Sequence, residues 1–241
     1  MCTVSFIAHN DSYFITSNRD EHISRQKAYA PKEQNINSVR VVFPQDPKAG
    51  GTWFAVNEYN QAAVLLNGGF VRHESKGPYA RSRGLVLLEI IGSKNPLAII
   101  QEMDLENIEP FTVVIFADGR LVESRWDGSK KHFSILNPEQ SYIWSSVTLY
   151  DDDAIQTREE LFSKFVEEHK TVTPSSIVDF HSNNHNDYEN GFVIDRKTGL
   201  RTFSVTQAIL KSSEVTLKHF DLLGDKRYLV DFSSNKLETS L

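Results

Sequence analysis

On both sides of His9-Asn10-Asp11-Ser12 the chain alternates polar and apolar residues, and no other feature limits its fold as much. Alternation at period two describes a strand with one buried face, and a polar Asn-Asp pair between two such runs describes a hairpin turn. A turn at Asn10-Asp11 fixes the register: Ala8 opposes Tyr13, Phe6 opposes Ile15, Val4 opposes Ser17 and Cys2 opposes Arg19. A slip of one residue would turn each strand's apolar set to the wrong face. The hairpin thus predicts that the single cysteine of the chain meets a guanidinium, with the Asp20 carboxylate at the same end of the sheet.

The same pattern recurs along the chain. Further strands are expected at Ser38–Phe43, Thr52–Val56, Gln61–Asn67 and Phe111–Ala117, and Asp118-Gly119 turns the last of these into Arg120–Trp126. Later strands are expected at Tyr142–Leu149, Gly191–Arg196, Leu200–Thr206, Glu214–Phe220 and Arg227–Phe232. Helical spacing marks Tyr79–Gly92, and Asn95-Pro96 opens a second helix through Met103. Thr157-Arg158-Glu159-Glu160 has the capping-box pattern, with Leu161, Phe162, Phe165 and Val166 on one face. Thr173-Pro174 starts a helix towards His181. Hairpin-linked strands with helices grouped between them indicate a layered α+β fold, read as one domain over residues 1–241.

Composition narrows the function. The net charge of −6 comes without any basic stripe, the longest clump being Lys130-Lys131-His132, so nucleic acid is not an expected partner. No apolar run approaches the roughly 20 residues of a membrane span. The first residues lack the charged and apolar regions of a secretory signal, and a cytoplasmic location is expected. One cysteine excludes an internal disulfide and a Cys-rich zinc site.

Cys2 is the residue with chemistry to offer. A neighbouring cation favours the thiolate, the nucleophilic form. If Met1 is removed, Cys2 also carries a free α-amine whose ordinary pKa of about 7.7–8.0 suits a general base. Asp20 can orient that amine. Read otherwise, Cys2 is a small buried residue and Arg19-Asp20 an ion pair. Asn67, at the end of Gln61–Asn67, is a candidate oxyanion donor, with Gly68-Gly69 leaving room for substrate; the alternative is a turn-forming Asn-Gly-Gly.

An opening Met-Cys followed by Asn18-Arg19-Asp20-Glu21 resembles the NRDE family, also called the transport and Golgi organisation family. Gly50-Gly51-Thr52-Trp53, Leu66-Asn67 and Ser82-Arg83-Gly84 resemble its further motifs in order. The resemblance implies relatedness in fold to N-terminal nucleophile cysteine hydrolases such as bile salt hydrolase and penicillin V acylase. It implies an αββα sandwich of two antiparallel sheets between helix layers, and hydrolysis of a non-peptide C–N bond in a small-molecule substrate. Cys2 would be the nucleophile, Arg19 and Asp20 the groups behind it, and Asn67 the oxyanion donor. Asn18, Gly68 and Ser146 are expected at the substrate. The second half departs from the pattern: Ser146 stands where relatives have an amide, and Asn186–Asn190 lacks their arginine. No cofactor is needed for this chemistry. The competing reading is a non-hydrolytic carrier or chaperone of haem or lipid-like ligands, with Cys2 or His9 as a haem ligand.

Two other clusters are set aside. His181 and His185 have helical ligand spacing, but Ser-Asn-Asn between them reads as polar loop. Asp151-Asp152-Asp153 lacks the spaced ligands of a calcium loop and reads as a solvated turn ahead of the Thr157 helix.

Overall fold

The computed structural model describes residues 3–169, 171–212 and 214–233. The chain opens with β1 (Thr3–His9) and β2 (Ser12–His22), joined through Asn10 and Asp11. Both turn residues have positive φ, 49° and 55°, as a hairpin turn that matches strand twist requires. The predicted register is found: Ala8 pairs with Tyr13, Phe6 with Ile15 and Val4 with Ser17. The expected pairing of Cys2 with Arg19 lies outside the described residues.

A meander follows, with β3 (Tyr29–Ile36), β4 (Val39–Gln45), β5 (Phe54–Asn57) and β6 (Gln61–Asn67). Helices α1 (Arg83–Ile91) and α2 (Pro96–Glu102) lead into β7 (Phe111–Ala117), β8 (Arg120–Trp126), β9 (Lys131–Leu136) and β10 (Tyr142–Ser145). Helices α3 (Asp152–Glu168) and α4 (Pro174–His181) precede β11 (Leu200–Leu210), β12 (Glu214–Asp221) and β13 (Lys226–Ser233). One six-stranded sheet has the order β10-β1-β2-β11-β12-β13, and a seven-stranded sheet runs β3 to β9 in sequence order. All the paired strands are antiparallel.

Strand parity sorts the core into layers. Val4, Phe6 and Ile15 meet Phe54, Val56 and Val64 between the two sheets. Ile7 and Phe14 point the other way, to Phe162 and Phe165 of α3 and Phe180 of α4. The far face of the second sheet buries Val41, Ala63 and Val113 under Leu87 and Ile90 of α1 and Ile100 of α2. The order is helix, sheet, sheet, helix, as expected.

Several boundaries differ from the sequence reading. The expected strand at Gly191–Arg196 is irregular, with one bridge between Asp195 and Arg201. Its carbonyls are taken by side chains: Phe192 O accepts from Asn18, and Gly191 O from Arg158. The strand expected to reach Leu149 stops at Ser145, because Ser146 O accepts from the amides of Leu149 and Tyr150 in a turn. The helix expected at Thr157 begins a turn and a half earlier: Asp151 caps it, Asp152 and Asp153 occupy its first turn, and the acidic run complements the helix dipole. Likewise α1 starts after the Ser82 cap rather than at Tyr79. Strands β3 and β9 carried no usable signal, since they are sheet edges with largely polar or exposed side chains.

Two glycine motifs, distant in sequence, meet here backbone to backbone. Thr52 N donates to Gly84 O at 3.3 Å. A Cβ on Gly51 would lie 2.4 Å from the Gly84 carbonyl carbon, and one on Gly84 would lie 2.8 Å from Thr52 O. Neither neighbour is a flexible side-chain tip, so both positions need glycine. Gly51→Ala should therefore destabilise the protein by roughly 1–3 kcal/mol, read as a lower urea midpoint with unchanged slope. A midpoint equal to that of the native protein would show that the α1 start can shift to make room.

Candidate active site

The Asn18-Arg19-Asp20-Glu21 string lies at the end of β2, where period-two geometry sends neighbours to opposite faces. Arg19 enters the space between the sheets. Its Nη2 donates to Asp46 at 3.0 Å and Glu21 at 3.4 Å, and its guanidinium covers Trp53 at 4.7 Å and Phe203 at 5.5 Å. Burial pushes the Asp46 carboxyl up, but the Ala49 and Lys48 amides and the Arg25 and Arg19 cations outweigh it and hold that carboxyl below its ordinary value. Asp20 faces the α3–α4 layer instead, accepting from Tyr150 Oη at 2.9 Å and Thr202 Oγ1 at 2.5 Å. Arg19 and Asp20 thus share one sheet end, as expected, but they stand on its two sides. Cys2 lies outside the described residues. Its successor Thr3 is buried, paired with Asn18 on one side and Ser145 on the other.

Asn18 also faces the α3–α4 layer and is fully buried. Its Nδ2 donates to the carbonyls of His181 and Phe192 at 2.8 and 2.9 Å, which leaves Oδ1 to accept from His181 Nδ1. His181 Nε2 then accepts from the Ser5 hydroxyl at 2.7 Å. The order hydroxyl, imidazole, amide is that of a nucleophile, base and orienting group, but Ser5, His181 and Asn18 have no exposed surface. The chain clamps α4 to β1 and β2. Two expectations change accordingly: Asn18 is spent inside the protein rather than offered to substrate, and His181 is a core residue rather than part of a polar loop.

The third component comes from the second sheet. Gly68 has φ +86° and a Cβ there would lie 2.6 Å from Val147 Cγ2, so only glycine lets β6 end against the 146–149 turn. Gly68 N donates to Pro110 O at 3.0 Å, and Arg125 Nη1 donates to Gly69 O at 3.0 Å. Ser146, expected at the substrate, is 1 % exposed and donates to Asn67 O at 2.9 Å, so it braces Asn67. The Asn67 side-chain amide makes no hydrogen bond among the described residues and lines a small cleft with Trp144, Ser145 and Val147. Ser145 is the partner of Thr3, so this cleft adjoins the start of β1. Beyond it lies a groove of about 360 Å³ walled by Phe70, Val71, Arg72, Leu149 and Tyr150.

Tyr150, Arg158, Thr202 and Asp46 were not singled out from the sequence. For Arg158 a signal existed: it falls on the buried stripe of α3 with Ala154, Phe162 and Phe165, where an apolar residue is expected. The others depend on long-range contacts that no local pattern reveals.

Comparison with known proteins agrees with this architecture. The family model for Transport and Golgi organisation 2 matches residues 1–212. The chain belongs to that family. No curated protein matches this Transport and Golgi organisation 2 family member in sequence. In structure it is similar to a mutant of conjugated bile acid hydrolase from Clostridium perfringens whose Cys2 is replaced by alanine: 10 % identity, 98 % of each chain covered, TM-score 0.51. It is also similar to the Caenorhabditis elegans orthologue of N-acylethanolamine-hydrolyzing acid amidase: 12 % identity, 86 % of this chain and 92 % of that one, TM-score 0.59. At such identities the likeness is one of fold, that of the N-terminal nucleophile hydrolases. Among the described residues, no helix of this family member is long and apolar enough to cross a membrane.

The buried clamp has a pH signature. Burial, with the Arg158 cation and His185, pushes His181 down to about 3 from its ordinary 6.5, and burial takes His219 to about 4. Below pH 6.5 the unfolded chain takes up protons that the folded protein refuses, so stability is full above that pH and falls as the pH drops through it. The expected slope is on the order of 1 kcal/mol per pH unit for each histidine. Replacing His181 by Gln should flatten the decline between pH 6 and about 4, measured by urea denaturation at each pH. An unchanged slope would mean that His181 is protonated in the folded protein.

Proposed function

We propose that the chain is an N-terminal nucleophile amidohydrolase that cleaves the C–N bond of a small acylated substrate through Cys2. The supporting observation is the convergence at the start of β1. Thr3 is held between Asn18 and Ser145, Asp20 is fixed by Tyr150 and Thr202, and the Asn67 amide lines the adjoining cleft without a hydrogen-bond partner among the described residues. With Met1 removed, the α-amine of Cys2 takes the thiol proton and the thiolate adds to the acyl carbonyl. Collapse of the tetrahedral intermediate breaks the C–N bond, the ammonium protonates the departing amine, and water then hydrolyses the thioester. Asn67 is suited to donate to the oxyanion, and Phe70 and Val71, 50 % and 73 % exposed, offer an apolar wall for the acyl group.

Two experiments test this reading. Mature protein should begin at Cys2 by intact mass, and an uncleavable N-terminal extension should abolish turnover of an acylated amine panel while the fold survives. Equal hydrolysis by extended and processed protein would overturn it, and ligand binding without product in both would favour a carrier. Asn67→Ala should lower kcat by roughly 10²–10³ with little change in stability, because its amide has no partner to lose among the described residues. Full activity in a folded Asn67→Ala variant would place the oxyanion hole elsewhere.

A further inference from the structure

Arg19 is 2 % exposed, and its two terminal nitrogens fare differently. Nη2 donates to Asp46 and Glu21, whereas the buried Nη1 has no hydrogen-bond partner among the described residues. Two neighbours share that condition. Ser204, opposite Arg19 on β11, leaves its buried hydroxyl without a partner, and so does the indole Nε1 of Trp53, which lies under the guanidinium. A buried polar group without a partner is costly, and native proteins leave few of them. Guanidinium and indole nitrogens only donate, so what they lack is an acceptor.

A bulge in β11 makes room for one. Pairing with β2 slips between Thr202 and Ser204, which leaves Phe203 as the extra residue. Phe203 and Ser204 border the same cavity as Arg19, together with His219 of β12 and the half-exposed Lys27. The cavity holds about 20 Å³, little more than the roughly 10–15 Å³ that one water needs. A phosphate or sulfate is too large for it.

The surrounding charges are balanced. Asp46 and Glu21 both meet Arg19 and Arg25, and Lys27 pairs with Asp221 at 3.7 Å. His219 bonds Thr206 Oγ1 at 2.8 Å and brings no charge at neutral pH, because burial pushes it down to about 4, with Asp221 opposing and the Arg19 cation adding. Arg19, Arg25 and Lys27 thus stand against Glu21, Asp46 and Asp221, which suits an ion of single charge. A water would need acceptors for its own hydrogens, and of the three unpartnered atoms Ser204 Oγ alone can accept.

We propose that this cavity binds one small monoanion, a halide or the tip of a carboxylate, on Arg19 Nη1 and the Ser204 hydroxyl. It lies on the β11 side of β2, with β1 on the other, and the proposal does not rest on the amidohydrolase reading.

The test is thermal unfolding at fixed ionic strength, with gluconate, too large to enter, replaced stepwise by chloride or by formate. The unfolding midpoint of the native protein should rise saturably with chloride, formate or both, and the ion with the lower half-saturating concentration identifies the source. Ser204→Val removes the hydroxyl and should raise that concentration by roughly tenfold or more. Lys27→Glu, a change at a half-exposed side chain, reverses the charge at the solvent side and should raise it severalfold. Equal midpoints of the native protein in all three salts would overturn the proposal and leave water on Arg19. Native half-saturation in a folded Ser204→Val protein would overturn it too, since the ion then binds elsewhere. If Ser204→Val does not fold, Lys27→Glu decides, and native half-saturation there overturns the site.

Discussion

The structure depends on the register of one hairpin. Asn10 and Asp11 both adopt positive φ, and this two-residue turn leaves β1 and β2 one way to pair. Every later assignment of faces follows from it. Val4, Phe6 and Ile15 fill the space between the sheets, while Thr3, Ser5, Asn18 and Asp20 meet α3, α4 and the segments beside them. The helix-facing side is apolar near the turn, at Ile7 and Phe14, and polar at the other end. That gradient puts buried polar groups at one end of the sheet and apolar packing at the other.

The polar end survives burial because its groups satisfy one another. Asn18 spends its whole amide, His181 stays neutral so that one ring nitrogen donates and the other accepts, and Asp20 takes two hydroxyls. In a low-dielectric layer such a network is rigid, since releasing any member strands another. Asn67 on the facing sheet is the contrast: its backbone is braced by Ser146 while its side chain makes no hydrogen bond among the described residues. A braced backbone with a side-chain amide turned to a cleft is the arrangement that the proposed oxyanion role calls for.

Much of this was legible in the sequence, and the limits have physical causes. The hairpin register and the bounds of β6, β7 and β8 follow from alternation and turn residues, which are local. Strands β3 and β9 escape because edge strands bury too little to need an apolar pattern. At the site, Arg19 and Asp20 were legible as neighbours, and period two also implied that they part to opposite faces. Tyr150 and Thr202 reach Asp20 from 130 and 182 residues away, a meeting set by topology alone. At 10–12 % identity to the bile acid hydrolase and the amidase, the likeness to those two proteins is one of fold. In the second half of the chain Ser146 braces Asn67, and Arg158 of α3 bonds Thr3 and covers the Tyr150 ring.

That arginine gives α3 a burden that strands do not carry. A helix turns by about 100° per residue, so inserting or deleting one residue between Asp151 and Arg158 would swing the guanidinium off Tyr150 and out of the layer. The 70–82 loop, which has no helix or strand of its own, faces no such phase requirement. Natural length variation around the groove should therefore collect in that loop, while the spacing from the Asp151 cap to Arg158 stays fixed in chains that keep the same site.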